Sequence, residues 1–413
     1  MVQAVDYDLV VIGATQAGLL LAQKAIAQGQ RVALVQQNSH PFQDIQMQAL
    51  QKILLYAVEQ PAATIAQVVW LIHQTIAPED FYEPLAKLAE MGVDVVPESG
   101  YFRWQPQTFL RTATRQLRGR HYAIATGTVW QEKQDPADIL PTDLLNGETW
   151  EKLAAKVVLI GTDPLMLTLT YALQRLGKQV QWVVGSAFLG TEDADLAHHL
   201  QTFLETTGIE IYKGLAAADL VDILQQPEIS IIRGDRRRGA TSQLNLPPDC
   251  CQGEQMWLRV NDHLQTSHRQ IYGCGSVLGG YDLPGLAIAE TSVLVKNLTT
   301  RKKQPCLYQN IAYRLFEPYP FDHVGYQNRS TPPGTKSIEH TFSMDRVDQL
   351  QFPFDVTVKL WLGANDQLLG ATVLGDRQGK LISHCRHLVQ QQRPFTTWDN
   401  LLEASGLAAE ICW

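Results

Sequence analysis

Cysteine is scarce in this 413-residue chain: six are present, and the first 249 residues contain none. So few thiols exclude a small disulfide-stapled scaffold and predict a cytoplasmic protein, because disulfide-rich chains belong to oxidising compartments. The opening residues 1–7 are short and polar, so no signal peptide is expected. No apolar run reaches the roughly 18 residues of a membrane-spanning helix, and the most apolar stretch, residues 157–173, is interrupted by Asp163 and Pro164. We therefore expect no membrane span.

An excess of positive charge is also missing. The net charge is −8, with 45% hydrophobic and 18% charged residues. This balance is typical of a globular chain and argues against a nucleic-acid partner. The sequence contains no P-loop, nucleophile elbow or zinc motif, so we expect no metal site.

Two stretches predict a strand, a glycine-containing turn, a helix and a second strand. In the first, residues 8–12 and 31–35 are apolar runs typical of strands buried on both faces of a parallel sheet. The pattern recurs at 156–160 and 179–184, with Pro164 placed for the first turn of the helix. Each turn lies where a dinucleotide-binding fold holds its phosphates.

The end of the chain differs from these two stretches. Residues 354–361 and 367–374 alternate between apolar and polar, which is typical of antiparallel strands, and helical stretches follow. The predicted fold class is α/β, with two Rossmann-like dinucleotide-binding domains and a C-terminal α+β domain. The predicted bounds are 1–145 with 268–305 for the first domain, 146–267 for the second and 306–413 for the third.

Several segments resemble, in the same order, those of the pyridine-nucleotide disulfide oxidoreductases, the family of glutathione reductase, dihydrolipoamide dehydrogenase and mercuric reductase. They are residues 7–13 with 32–35, 51–59, 92–96, 122–127, 271–275, 316–325 and 369–375. The resemblance implies an FAD-type first domain, an inserted NAD-type domain, and a homodimer formed through the C-terminal domain.

The catalytic positions of this family are altered. The family passes electrons from NAD(P)H through FAD to two cysteines with four residues between them, and only a thiolate exchanges with a disulfide. The matching positions, counted back from Lys52, are Gln43 and Gln48. The family also uses a His, held by a Glu, near its C-terminus as a proton donor. Here the last histidine is His387 and the expected position falls near Ala408, so we predict no catalytic residues for disulfide reduction.

The residues that match the FAD site are partly changed. They are Gly13, Thr15, Gly18, Gln36, Thr126, Gly127, Gly275 and Ser276. Thr15 replaces the middle glycine of the first turn, where a β-branched side chain obstructs the pyrophosphate. Gln36 replaces the acidic ribose ligand, and Ser276 replaces the aspartate of a Gly-Asp pair. The resemblance therefore implies a weakened FAD site.

The NAD-type turn departs further from the family. Asp163 replaces the second glycine, and its carboxylate would face the negative charge of a pyrophosphate. Met166 replaces the third glycine, where helix and strand pack closely, and Gly185 stands at the acidic ribose position. We expect NAD(P) not to bind.

The adjacent thiols Cys250 and Cys251 have two interpretations. They are a redox or metal-sensing pair, or they are two incidental thiols. The second is favoured because a disulfide between neighbouring residues forces strained geometry.

Two hypotheses for function follow. The favoured one is a degenerate family member that serves as a non-catalytic binding, scaffold or regulatory protein, with an unidentified protein partner. The alternative is an FAD-dependent NAD(P)H oxidoreductase that acts on a non-disulfide acceptor, such as a quinone, oxygen or a protein.

Overall fold

The computed structural model describes residues 5–37, 42–60, 62–76, 83–105, 107–133, 135–327, 331–342 and 355–406. The chain divides into two compact units. The first unit comprises Met1–Ile53, Ala66–Glu151 and Asp235–Cys306. The second unit comprises Leu54–Ile65, Lys152–Gly234 and Leu307–Trp413.

The first unit is built on a parallel sheet. The strands in the first part of this unit, not all of which belong to that sheet, are β1 (Tyr7–Ile12), β2 (Val32–Val35), β3 (Asp94–Val96), β4 (Tyr101–Arg103), β5 (Phe109–Arg111), β6 (Gln116–Leu117), β7 (Gly119–Ile124) and β8 (Thr128–Trp130). The helices that begin in this part of the chain are α1 (Gln16–Ala27), α2 (Gln43–Glu59), α3 (Ile65–Thr75), α4 (Glu83–Glu90) and α5 (Gly147–Glu151). Strands β4, β5 and β6 form a separate antiparallel sheet.

The second unit holds a parallel and an antiparallel sheet. Its first part contains β9 (Lys156–Ile160), α6 (Pro164–Arg175), β10 (Gln179–Val184), α7 (Ala194–Thr206), β11 (Glu210–Lys213), α8 (Ala217–Leu224) and β12 (Ile229–Arg233). The chain then returns to the first unit with β13 (Arg237–Gly239), β14 (Cys251–Gln252), β15 (Trp257–Leu258), β16 (Ile271–Gly273) and α9 (Pro284–Thr299). The second unit ends with β17 (Tyr313–Arg314), β18 (Phe321–Gly325), β19 (Lys336–Phe342), β20 (Val356–Leu362), β21 (Leu368–Leu374), α10 (Lys380–Gln390) and α11 (Trp398–Ser405).

The predicted parallel strands are confirmed in both units. The main sheet of the first unit has the order β16-β7-β1-β2-β3, and Val10 on β1 pairs with Ala33 on one side and Tyr122 on the other. The parallel sheet of the second unit has the order β11-β10-β9-β12. The residues of β1 from Leu9 to Ile12 are fully buried, as expected for a central parallel strand covered on both faces. The predicted α/β class with two Rossmann-like sheets is therefore confirmed.

The C-terminal sheet is antiparallel, with the order β17-β18-β21-β20-β19. The predicted strands near 354–361 and 367–374 correspond to β20 and β21, although residue 354 lies outside the described residues. The expected alternation is absent from β20, because all seven of its residues are buried. Lys359 is among them and is kept in the interior by ion pairs with Asp193 and Asp195 of the same unit.

The two compact units differ in extent from the three predicted domains, whose bounds stay a prediction. Residues 235–267 group with the first unit, since β13 pairs with β8 and the 3-10 turn at Ser276–Leu278 packs near β13 and β15. Within the described residues, no helix is long and apolar enough to cross a membrane.

Candidate cofactor-binding site

The first glycine turn joins β1 to α1. Gly13 has a φ of +113°, and a methyl group there would collide with the carbonyl of Ala125. A methyl group at Gly18 would collide with the carbonyl of Gly13. Only glycine has the conformational freedom and small size for these positions. The two glycines are thus required by the packing of the turn itself, whether or not a ligand is bound.

Thr15 is the N-cap residue of α1. Its hydroxyl accepts a hydrogen bond from the Gly18 N–H at 3.2 Å and donates one to the Ala125 carbonyl at 2.7 Å. Threonine is a favourable N-cap because its oxygen satisfies an N–H that has no partner inside the helix. The side chain is buried, so Thr15 fills the middle of the turn and also satisfies one of the helix's free N–H groups.

Asp44 reaches the same helix from α2. Its Oδ2 atom accepts a hydrogen bond from the Gln16 N–H at 2.8 Å, and the Gln48 amide donates to the Gln16 side-chain oxygen at 3.1 Å. The Asp44 side chain is half-buried, and its Oδ1 atom is buried without a hydrogen-bond partner among the described residues. Burial, and then the nearby charge of Asp282, raise the pKa of Asp44 to about 7.

The loop after β7 packs against the Thr15 side chain. Gly127 has a φ of +71°, and its missing Cβ would lie 3.0 Å from the Thr15 methyl group and 3.6 Å from the Ser276 hydroxyl. Thr126 is buried. The Gly275 N–H, which precedes Ser276, donates a 2.6 Å hydrogen bond to the buried carboxylate of Glu290 on α9. The structure therefore brings Thr15, Thr126, Gly127, Gly275 and Ser276 together.

The end of β2 holds Gln36, the residue at the ribose-binding position. Its side chain is half-buried, and its backbone N–H donates to the Val96 carbonyl. The next residue, Gln37, has a φ of +68°, and its side-chain amide bonds both the N–H and the carbonyl of Gly100 at 2.8 Å each. Sequence reasoning missed Gln37 because its partner lies 63 residues away.

Side chains of the same chain occupy the second glycine turn, between β9 and α6. Asp163 is the N-cap of α6, and its Oδ1 atom accepts from the Leu165 N–H at 3.0 Å. The Met166 side chain is fully buried and packs against the bare Cα of Gly234. The Trp182 indole donates a 2.7 Å hydrogen bond to the Gly161 carbonyl. Gly185 is exposed after β10.

The positions that match the family's dithiol lie in the first part of α2. Gln43 is its first residue, and both Gln43 and Gln48 are half-buried. The expected C-terminal proton-donor position near Ala408 lies outside the described residues.

The first unit contains the adjacent cysteines Cys250 and Cys251 and the buried Cys274. Cys250 is buried, with its Sγ 3.3 Å from the Ser267 hydroxyl, and both Cys250 and Cys251 are unpaired. Burial raises the pKa of the half-buried Cys251 thiol and of the fully buried Cys274 thiol. A raised pKa disfavours the reactive thiolate. In the described part of the chain, no group of three or more His, Cys, Asp or Glu side chains is arranged to hold a metal ion.

Two parallel sheets, each with a glycine turn that opens its first helix, define a protein with two dinucleotide-binding-type folds and a C-terminal antiparallel sheet. The sequence profile of the pyridine nucleotide-disulphide oxidoreductases matches residues 7–292. The chain belongs to this family.

Solved structures of related fold cover nearly the whole chain. The Cu(II) complex of the HOCl-induced flavoprotein disulfide reductase RclA from Escherichia coli is similar with a TM-score of 0.77 and 19% identity, over 97% of this chain and 99% of that chain. A second structure of the same Escherichia coli protein gives a TM-score of 0.76 and 19% identity, over 97% of this chain and 100% of that chain. At this identity the likeness establishes the fold. No curated protein sequence matches the chain.

Proposed function

We propose that the protein is a non-catalytic member of the pyridine nucleotide-disulphide oxidoreductase family that acts as a binding, scaffold or regulatory component. The observation that carries the proposal is the pair Gln43 and Gln48 at the positions of the family's dithiol. A carboxamide cannot form a thiolate or exchange with a disulfide. Gln48 instead bonds the side chain of Gln16, which is a structural contact.

The first glycine turn supports weakened FAD binding. A pyrophosphate is held at a helix N-terminus by free backbone N–H groups. In α1 the N–H of Gln16 is bonded to Asp44, and that of Gly18 is bonded to Thr15. These residues, as they lie, do not fit the phosphates of the cofactor.

The second glycine turn supports the absence of NAD(P) binding. The Asp163 carboxylate caps α6 and repels a second anion, and Met166 fills the space beside Gly234. In each turn, side chains of the chain itself therefore already bond part of the helix N-terminus that a phosphate would use.

The C-terminal sheet is the proposed surface for a homodimer or a protein partner. Among the described strands of this sheet, β19 lies at the edge, and it is mostly exposed from Lys336 to Thr341. A strand edge presents unpaired N–H and carbonyl groups that a second chain can bond. Light scattering of the purified protein should therefore give a dimer.

The catalytic part of the proposal is tested by steady-state turnover with NADH and NADPH. Disulfide, quinone and oxygen acceptors are each supplied to the wild type and to a Gln43→Ala/Gln48→Ala variant. We expect no turnover by either protein. Turnover by the wild type above the protein-free rate refutes the proposal, and the double variant then shows whether the α2 glutamines take part.

The second candidate function is an FAD-dependent NAD(P)H oxidoreductase that uses a non-disulfide acceptor. Thr126 and Gly127 favour it, because this loop of the cofactor site is kept. The Ser276 hydroxyl beside Gly127 replaces an aspartate and can still form hydrogen bonds. An absorption spectrum of the freshly purified protein separates the two candidates. A stoichiometric flavin spectrum that NADH or NADPH bleaches supports the second, and a colourless folded protein supports the first.

A further inference from the structure

An acidic side chain of the chain itself already lies at the N-terminus of α1. Asp44 lies in the first turn of α2, and its carboxylate oxygen sits 2.8 Å from the first backbone N–H of α1, that of Gln16. We propose that the Asp44 carboxylate substitutes for a cofactor phosphate at this helix N-terminus and keeps phosphate ligands out.

The chemistry of the position supports this substitution. The first N–H groups of a helix have no partner within the helix and favour a negative charge. In a dinucleotide-binding fold the pyrophosphate satisfies both requirements. A carboxylate satisfies them as well, and it stays in place because it belongs to the same chain. The Gly18 N–H is satisfied in the same way by Thr15.

Charge adds to steric exclusion. The negative charge of Asp282 opposes the ionisation of Asp44 and contributes to its raised pKa. A pyrophosphate placed at the turn would bring further negative charge beside both carboxylates, in a partly buried setting where repulsion is strong. The second oxygen of Asp44 is buried as well, so the carboxyl group occupies space beside the turn.

The substitution comes from the helix that carries the altered redox positions. Gln43 precedes Asp44, and Gln48, one turn later, bonds Gln16. Two contacts from α2 therefore close onto the same residue of α1. The inference rests on the proposed function and deepens it, because it names the group that keeps phosphate out of the first turn.

Reopening the turn tests the inference. FAD and ADP are titrated at pH 8, where Asp44 is ionised, into the wild type, Thr15→Gly, and Thr15→Gly/Asp44→Ala. The matched control is Thr15→Gly/Glu83→Ala, which removes an exposed carboxylate of α4 in the same unit. We expect Asp44→Ala to tighten binding of FAD and ADP at least tenfold over Thr15→Gly alone, while the control leaves it unchanged. An unchanged dissociation constant on removal of Asp44, or a wild type purified with stoichiometric FAD, overturns the inference.

Hydrogen exchange gives a readout that does not depend on the cofactor. The Gln16 amide should exchange at least tenfold faster in Asp44→Ala than in the wild type, because its acceptor is gone. Equal exchange rates overturn the inference. If Asp44→Ala does not fold, the double variant Thr15→Gly/Asp44→Asn is used, because asparagine keeps the acceptor oxygen and removes the charge. Tighter FAD binding by this double variant than by Thr15→Gly alone supports the inference, and equal binding overturns it. Turnover by the wild type would refute the proposed function and leave this result untouched.

Discussion

The Asp44→Asn substitution should remove a pH dependence from the stability of the protein. The pKa of Asp44 is raised from 3.8 to about 7, first by burial and second by Asp282. Hydrogen bonds from backbone N–H groups, including that of Gln16, lower it but do not compensate. The protonated form is therefore favoured in the folded protein over the unfolded chain.

This difference in pKa sets the direction and size of the change in the free energy of unfolding with pH. Between about pH 4 and pH 7 the folded protein keeps the proton on Asp44, while the unfolded chain has lost it. The free energy of unfolding of the wild type therefore falls as the pH rises through this window, by about 1.4 kcal/mol per pH unit. The rise in the pKa of Asp44 from 3.8 to about 7 corresponds to about 4 kcal/mol, which is the stabilisation that the folded protein loses above pH 7.

An asparagine at position 44 keeps an oxygen for the Gln16 N–H and cannot ionise. Asp44→Asn should match the wild type near pH 4 and exceed its stability at pH 8 by up to about 4 kcal/mol. Urea denaturation of both proteins at pH 5, 6, 7 and 8 measures this difference, and contributions from other groups, such as the buried Asp322, cancel in it. Glu83→Gln, on the exposed face of α4, is the control and should follow the wild type across this range.

A difference between Asp44→Asn and the wild type that stays constant with pH would refute this reasoning. A variant less stable than the wild type at pH 8 would also refute it, since the ionised carboxylate would then be the stabilising form. Either result would mean that the carboxylate is better solvated or better paired than its burial beside α1 implies.

Two further predictions concern the second unit. Lys359→Met should lower the free energy of unfolding by about 3 kcal/mol or more in urea denaturation, because the fully buried Asp193 side chain loses its buried cationic partner. Asp195→Ala removes an exposed partner of the same lysine and should cost less than about 1 kcal/mol. Equal costs for the two variants would contradict the role of burial. Gly234→Ala should cost about 1–3 kcal/mol, because its methyl group would overlap the buried Met166 side chain. Adding Met166→Ala should recover part of the Gly234→Ala loss, and additive losses would show that the two residues do not compete for space.

The sequence by itself determined the parallel strands and the absence of cysteine at residues 43 and 48. The apolar runs at 8–12 and 156–160 predict buried central strands because each residue of such a strand is covered on both faces, and β1 and β9 are buried accordingly. The absence of a thiol at Gln43 and Gln48 is a matter of composition that no folding can reverse. The sequence predicts that Thr15 and Asp163 obstruct their turns, and in the structure each is an N-cap that satisfies a helix N–H group.

Only the tertiary structure decided which groups fill the first turn. Asp44 lies 28 residues from Gln16, and no pattern in the sequence indicates that the two residues meet. The burial of all of β20 was likewise undetectable in an alternating pattern, because Lys359 is kept inside by partners more than 160 residues away. Local periodicity indicates which face of a helix or strand is buried. Contacts between residues far apart in sequence, such as ion pairs and side chains that bond a helix N-terminus, depend on how the chain packs. That packing places a carboxylate at the N-terminus of α1.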